Sequence, residues 1–571
     1  MRLNIIRIIV VFLFIVLAVD LVYVQVLRGN YFYNLSVNNR IRVIPLEGQR
    51  GRILDRNGVV LADSRLSFNV TVIPQDIRDK EVLFGYLSEI LDVEQEKLVQ
   101  RFEQRRYTPF APVVVAEDVE KKTAMVLEEN KFRFPGLYIQ ETFRRWYPFN
   151  EVASHVLGYV GLIDTEKIKR LKNYGYSRQS VVGYSGVEEY YDKYLMGKEG
   201  GLQIEVNSRG QQVQLLGIRE PERGTDVQVT LDAGMQEVAF EIFKTHPGAL
   251  VIIDLATADV LALVSSPGYD PNVFSDPKRS REKAKLFTND GLPMFNRVLK
   301  GQYPPGSVFK TVVSVAGLSE NVITRYTTYH CPGYFQLGKR RARCTHVHGS
   351  VQIVKALGES CNVFYFNMGL VVGPERIQRY AKMFGLGTLT HVDLPAEEQG
   401  FVPTKNSRRG KNTSGWYKGD TLNLSIGQGD LLATPIQMAR LMATVALDGR
   451  VMEPHVLKAV DGREPVTTSI VRSLHIKKEV MNIVQEGLRD TVLSQHGTAR
   501  ILNMDGFEFY GKTGTAQTVP GKDSHAWFAG YNLVGKKKVA FCVFLEHGGS
   551  SYYAVQLTKE LFKALREKNI I

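Results

Sequence analysis

A serine three residues ahead of a lysine is the first pairing in this 571-residue sequence that could do covalent chemistry. It lies in Gln302-Tyr303-Pro304-Pro305-Gly306-Ser307-Val308-Phe309-Lys310. The prolines and glycine end one segment and start a helix at Ser307. On a helix, positions three apart share a face, so the amine of Lys310 is expected to reach the hydroxyl of Ser307. A desolvated lysine has a lowered pKa, and its neutral amine can take the serine proton. The helix N-terminus would favour a developing oxyanion. The pair alone is weak evidence, because ordinary composition gives about two Ser-x-x-Lys matches in a chain this long.

Two more motifs follow in order. Ser360-Cys361-Asn362 comes next and Lys512-Thr513-Gly514 after it; the latter triplet is expected by chance only about 0.1 times at this length. It sits in Phe-Glu-Phe-Tyr-Gly-Lys-Thr-Gly-Thr-Ala-Gln, residues 507–517, whose start alternates like a strand edge. Gly511 and Gly514 there let another backbone approach closely. The order and approximate separation are those of penicillin-recognising serine acyl-transferases.

A second constellation overlaps the middle motif. Cys331, Cys344, His348 and Cys361 fall as C-x12-C-x3-H-x12-C, a Cys3His set suited to tetrahedral Zn²⁺. A disulfide among the cysteines is the alternative, with a pairing that spacing does not fix. His346 rivals His348 as ligand, and Cys542 reads as a core residue of a strand.

These residues need elements to position them. Val227-Gln228-Val229-Thr230-Leu231 reads as a strand followed by a helix from about Gly234, and the runs 250–254 and 259–264 flank a turn as a β-hairpin. Thr434-Pro435-Ile436-Gln437 combines an N-cap hydroxyl, a first-turn proline and a capping-box glutamine. Earlier in the chain, Asn57-Gly58 between apolar stretches signals a hairpin. Residues 80–106 read as charged helix, 184–198 as one aromatic-rich amphipathic helix, and 199–223 as a lead into a linker.

Residues 8–26 are almost wholly Ile, Val, Leu and Phe, with Arg2 and Arg7 before them and Arg28 after. The stretch reads as an uncleaved signal anchor; a cleaved signal peptide is the alternative, against which stand the length of the apolar run and the lack of a small-x-small cleavage site after it. Asp20 inside it either faces a protein partner or snorkels to the interface. The expected location is the bacterial inner membrane, single-pass, with the bulk of the chain outside the cytoplasm. A hydrophobic content of 44% suits a large core without suggesting a multi-span membrane protein. Lys+Arg number 72 against 59 Asp+Glu, a formal charge of +13, which suits an anionic partner. Signatures of nucleic-acid readers are missing, so no nucleic-acid partner is expected.

On these motifs, residues 227–571 resemble the transpeptidase domain of class B penicillin-binding proteins, and residues 46–63 resemble the start of their non-catalytic pedestal. Gln302 to Ser307 together with Cys331-Pro332-Gly333-Tyr334 are most similar to the elongation-type penicillin-binding protein 2 group. Ser425-Ile426-Gly427-Gln428-Gly429 and His525-Ala526-Trp527-Phe528-Ala529-Gly530 are further family-like stretches. The resemblance implies an α+β fold: one transmembrane helix (1–28), a mixed pedestal or dimerisation-like domain (29–224), and a transpeptidase domain (225–571) whose central antiparallel sheet is flanked by helices. It implies a peptidoglycan D,D-transpeptidase of cell-wall elongation, acting on stem peptides and inhibited by β-lactams bound covalently at Ser307.

By the same resemblance Ser307 is the nucleophile and Lys310 its base, while Ser360 and Asn362 relay protons and hold the substrate amide. Lys512, Thr513, Gly514 and Thr515 line the substrate, with Lys512 and Thr513 on its terminal carboxylate. Backbone N–H groups of Ser307 and Thr515 form the oxyanion hole. No cofactor is required for the chemistry; zinc at the Cys3His set would be structural. A polytopic glycan polymerase of the shape, elongation, division and sporulation family is the implied partner. The alternatives are a D,D-carboxypeptidase, a division-type transpeptidase, a β-lactamase, and a non-enzymatic membrane scaffold that activates a polymerase.

Overall fold

A computed structural model of the chain describes residues 2–32, 41–106, 109, 112–171, 180–206, 212–405, 415–463 and 470–571. They group into two compact units. The first comprises Met1–Gly51, Ser64–Arg144 and Met196–Gly224; the second comprises Arg52–Asp63, Arg145–Leu195 and Thr225–Ile571.

In the first unit the apolar N-terminal run is one helix, Arg2–Val22, ending in a wider turn at Tyr23–Leu27. Residues Asn4–Leu27 are long and apolar enough to cross a membrane. The charged stretch 80–106 forms two helices, Lys80–Leu91 and Gln95–Arg105, whose apolar faces meet at Phe84, Leu87, Leu98 and Phe102 over the strand Val113–Val119. The expected linker at 199–223 is instead a sheet hairpin: Gly200–Val206 pairs antiparallel with Gln212–Arg219 and with Ile41–Leu46. Its glycines serve close packing rather than flexibility, since a Cβ on Gly200 would lie 2.3 Å from the Arg219 carbonyl oxygen.

The second unit holds the catalytic motifs. Asn57-Gly58 makes the expected turn, with Ile53 opposite Ala62 and Gly58 at φ +88°. The stretch 184–198 is two short helices, Gly186–Tyr190 and Asp192–Leu195, rather than one. The Tyr191 hydroxyl there donates to the Asp393 carboxylate, a polar contact that a simple amphipathic stripe does not foresee.

The centre of this unit is a five-stranded antiparallel sheet. Its strands are β1 (Gly248–Asp254), β2 (Val260–Ser266), β5 (Phe509–Ala516), β6 (His525–Asn532) and β7 (Val539–Leu545), in the order β2-β1-β7-β6-β5. A separate small hairpin pairs β3 (Tyr334–Leu337) with β4 (Arg340–Arg343). β1 and β7 are buried along their whole length, so both faces of the sheet are covered. Alternation decides what each face meets. Ala249, Val251 and Ile253 of β1, with Ala540, Cys542 and Phe544 of β7, share a core with α1 (Lys310–Ser319) and with α4 (Pro435–Ala446). Leu250 and Ile252, with Phe541 and Val543, pack instead with helices Ala233–Phe243 and Ser551–Glu567. Between α1 and α4 in the chain come α2 (Asn362–Val372) and α3 (Lys418–Ser425). The capping box at Thr434 forms as expected: Thr434 N–H donates to Gln437 Oε1 at 3.0 Å, and Gln437 N–H to Thr434 Oγ1 at 3.4 Å. The fold is thus α+β, with a central antiparallel sheet flanked by helices. Its edge strand β5 carries Lys512-Thr513-Gly514.

Candidate active site

Ser307 stands on a tight turn that several backbones clamp. Gly306 adopts φ +57°, a conformation that a side chain would strain. Its N–H donates to the Gly427 carbonyl at 2.9 Å, and a Cβ on Gly427 would lie 2.1 Å from the Gly306 oxygen. Trp527 Nε1 donates to the Pro304 carbonyl at 3.0 Å. Ser307 falls within a single 3₁₀ turn, Gly306–Phe309, that leads into α1. The serine is half-buried and opens on a cavity of about 970 Å³, which Ser360, Asn362, Thr498, Thr513 and Thr515 also line.

Lys310 is fully buried, and its ammonium is held by the middle motif. Nζ donates to the Ser360 carbonyl at 2.8 Å, to Ser360 Oγ at 3.2 Å and to Asn362 Oδ1 at 2.6 Å. The ammonium also lies over the Tyr365 ring, 5.1 Å from its centroid. Burial pushes its pKa down to about 8, against the opposing pull of the nearby Cys344 and Cys361 thiols. No hydrogen bond joins Lys310 to Ser307 Oγ among the described residues. Ser307 and Lys310 thus lie one turn apart, and Ser360 and Asn362 fix the amine. Ser360 has φ +59°, unusual for a residue with a side chain, and it turns the loop so that its carbonyl and its hydroxyl both meet Nζ.

The facing wall is β5. Lys512 is fully buried, and Nζ donates only to Thr513, at 3.3 Å to its carbonyl and 3.4 Å to Oγ1. No carboxylate lies within ion-pair distance among the described residues. Burial, and then the positive charge of Lys310, holds its pKa well below the ordinary lysine value. Lys512 thus has no acid partner among the described residues, and beside Thr513 it suits a carboxylate that a ligand brings. Thr498 Oγ1 and Thr513 Oγ1 are 2.7 Å apart. Gly514 is required by close approach: a Cβ there would lie 2.7 Å from the Pro305 oxygen and 3.0 Å from Val308 Cγ2. Thr515 is exposed at the mouth, and its carbonyl accepts from Gln428 Nε2 at 3.1 Å. Because β5 is the sheet edge, its outer backbone groups are open to an extended peptide added as a further strand.

The structure brings Cys331, Cys344, His348 and Cys361 together: one ligand atom from each falls within 4.8 Å of all the others. His348 Nδ1 is 3.5 Å from both Cys331 Sγ and Cys344 Sγ, and Cys344 Sγ is 4.0 Å from Cys361 Sγ. Four ligands around tetrahedral zinc, with Zn–S near 2.3 Å, stand roughly 3.5–3.8 Å apart, so this donor set fits such an ion. All four cysteines are free thiols. Cys344 Sγ also accepts the Asn362 N–H at 3.1 Å, at the N-terminus of α2. The Cys361 side chain and the backbone N–H groups of Val363 and Asn362 hold Cys344 well below the usual thiol range. Cys542 lies apart, buried in β7 as the sequence suggested.

Residues 248–567, more than half of the chain, match the family model of the penicillin binding protein transpeptidase domain. The chain belongs to that family. Residues 45–229 match the penicillin-binding protein dimerisation domain. Among relatives of this transpeptidase-family chain, the peptidoglycan D,D-transpeptidase MrdA of Acinetobacter baumannii is 33% identical over 98% of this chain and 87% of its own length. Among solved structures, penicillin-binding protein 2 of Helicobacter pylori in complex with MreC is 28% identical at a TM-score of 0.82, covering 93% of this chain and 99% of that one. A chain of a peptidoglycan synthase complex that coordinates polymerization and crosslinking is 30% identical at a TM-score of 0.73, covering 99% and 98%.

Two residues that the motifs did not single out belong to this transpeptidase cavity. Thr498 meets Thr513 directly, and its only sequence signal is the turn at His496-Gly497. Gln428 reaches Thr515 from a stretch read only as family-like.

Proposed function

We propose that this chain is a membrane-anchored peptidoglycan D,D-transpeptidase of cell-wall elongation, with Ser307 as nucleophile. The observation that carries the reading is that Ser307, Ser360, Asn362 and Thr513, drawn from all three motifs, line one cavity, with the buried Lys310 held by Ser360 and Asn362 and the buried Lys512 beside Thr513. One lysine suits a base, and the other suits a carboxylate. In the proposed reaction Ser307 Oγ attacks the carbonyl of a D-Ala-D-Ala peptide bond and gives its proton to the neutral amine of Lys310, whose pKa burial lowers to about 8. Ser360 Oγ, within hydrogen-bond distance of Nζ, passes a proton to the departing D-alanine nitrogen. Asn362 holds the substrate amide. Lys512 and Thr513 take the terminal carboxylate, with Thr498 behind Thr513. The N–H groups of Ser307 and Thr515 bind the oxyanion, each donor worth roughly 2.7–4 kcal/mol in acyl transfer. An amine of a neighbouring stem peptide then resolves the ester, and a β-lactam acylates Ser307 without being resolved.

Cys331, Cys344, His348 and Cys361 would hold a structural zinc ion, which supplies rigidity rather than chemistry. Through Cys361 and the Asn362 N–H it braces the loop that fixes Lys310. Residues 1–28 anchor the chain in the inner membrane, 29–224 form the pedestal and 225–571 the catalytic domain. The family matches at 45–229 and 248–567 support that division. A glycan polymerase is the proposed partner. Support comes from a relative that works within a synthase complex.

The test is labelling with fluorescent penicillin. Wild type takes covalent label, and Ser307→Ala takes none; retained label in the variant would overturn the assignment.

A further inference from the structure

The hydroxyl that meets the ligand carboxylate in the proposed reaction, Thr513 Oγ1, has a neighbour to which that reaction gives no task. Thr498 Oγ1 lies 2.7 Å away, and both threonines line the cavity that Ser307 opens on. Among the described residues the Thr498 hydroxyl has no other hydrogen-bond partner.

The place of Thr498 is built by the turn that carries it. That turn folds back on the end of the helix Lys478–Leu493: Gly497 N–H donates to the Ser494 carbonyl at 3.0 Å, and Ala499 N–H to the Thr491 carbonyl at 2.9 Å. Only glycine fits before Thr498, since a Cβ on Gly497 would lie 2.4 Å from the Thr491 oxygen. Ala499 after it is buried. Thr498 is thus exposed on the cavity wall between two anchored neighbours. Strand pairing fixes the backbone of Thr513 opposite Phe528 of β6, and the Thr513 side chain is buried. What this leaves unfixed is the direction of the Thr513 O–H.

A hydroxyl has one proton and two lone pairs. A carboxylate can only accept, so Thr513 binds one only when its proton points to it. Its other contacts must then both be donors. The Lys512 ammonium, 3.4 Å from Thr513 Oγ1, is one, and Thr498 is the other. In the opposite sense Thr513 would spend its proton on Thr498 and turn a lone pair toward the anion.

We infer that Thr498 is a positioning residue of the carboxylate site: its O–H donates to Thr513 Oγ1 and turns the Thr513 proton toward the terminal carboxylate of the donor. This rests on the transpeptidase reading and deepens it by adding a residue that acts on carboxylate recognition through Thr513.

The test uses full-length protein in detergent with benzylpenicillin and its methyl ester, whose acylation rates are followed by mass. The penicillin carboxylate stands for that of the terminal D-alanine, and the ester lacks the anion. Wild type is expected to favour the acid by about 100-fold or more, the size of hydrogen bonds to a charged group. Thr498→Val keeps the shape and removes the hydroxyl, and the acid-to-ester ratio falls about ten-fold; Thr498→Ser restores most of it. The ratio is internal to each protein, so a partly unfolded variant does not distort it. Thr498→Val/Thr513→Val should show the ratio of Thr513→Val alone, because a residue that acts through Thr513 has nothing to act on once that hydroxyl is gone. A ratio unchanged in Thr498→Val would overturn the positioning role. So would a double variant well below Thr513→Val, which would put Thr498 on the carboxylate itself. The two failures separate in wild type. A strong preference for the acid with Thr498→Val unaffected removes only the positioning role. A wild-type ratio near one removes the carboxylate site and Thr498 with it, and wild type that takes no penicillin at all removes the transpeptidase reading as well.

Discussion

Two clusters meet at the Ser360-Cys361-Asn362 loop, and they are built differently. Ser307 and Lys310 are neighbours and Lys512 comes from far along the chain, each on an element sunk in the main core: the turn before α1, α1 itself, and strand β5. Cys331, Cys344, His348 and Cys361 are nearly local: the first three lie on or between two-stranded ribbons, Tyr329–Cys331 with Gly349–Val351 and β3 with β4, and Cys361 caps the start of α2. An isolated two-stranded ribbon is marginal in water. The reacting groups are thus placed by packing that only the whole fold supplies, whereas the ribbons need a staple of their own. The loop between them inherits its rigidity from both.

The comparison breaks first at Lys310. Lys310→Met keeps most of the volume and removes the amine, and acylation by penicillin is expected to fall by about 10³–10⁴-fold, the upper range for a lost general base. The melting temperature should fall as well, because the Ser360 carbonyl and Asn362 Oδ1 stay in place and lose their donor. A variant that still acylates within ten-fold of wild type would assign the base elsewhere. Gly514→Ala tests the other wall. Its methyl would lie 2.7 Å from the Pro305 oxygen, so β5 must move away from the serine turn. A displacement of that kind costs about 100-fold in acylation, and unchanged rates would mean that the spacing of the two walls is not critical.

The pH profile is a smaller effect. Burial lowers Lys310 to about 8, so the neutral amine is present above that pH and lost below it. Acylation should rise about ten-fold per unit below pH 8 and level off above it. A flat profile between pH 6 and 8 would contradict the role of Lys310 as base.

How much of this could be read from the residues alone follows the same division. The Ser307, Ser360 and Lys512 motifs were legible because each chemistry demands a fixed triplet, and the alternating strands and the Thr434 capping box follow from local rules. What stayed hidden depends on tertiary contact. The hydrogen-bond partner of Lys310 proved to be Ser360 and Asn362 rather than Ser307. Thr498 acquires its place only through Thr513. The hairpin at Gly200–Val206 and Gln212–Arg219 looked like a linker, because glycines that let strands pack closely have the same letters as glycines that loosen a chain. The break near Tyr191 in the aromatic stretch coincides with its hydroxyl bond to Asp393, far along the sequence.

The smallest expected effect addresses the staple itself. Cys344 is the thiol that touches the reaction loop, since its sulfur accepts the Asn362 N–H while Asn362 Oδ1 receives the Lys310 ammonium. If zinc holds these thiols, wild type carries one ion per chain, Cys344→Ala carries none, and acylation falls roughly ten-fold, as for groups that orient a reacting residue without touching substrate. A chelator should produce the same fall in wild type and no further fall in the variant. Cys542→Ala is the contrast: buried in β7, away from the cluster, it should lower stability by about 1 kcal/mol for its small lost volume and leave metal content and acylation intact. Wild type that contains no zinc and ignores the chelator would show that the ribbons stand without a metal. In that case the loop takes its rigidity from the Lys310 side alone.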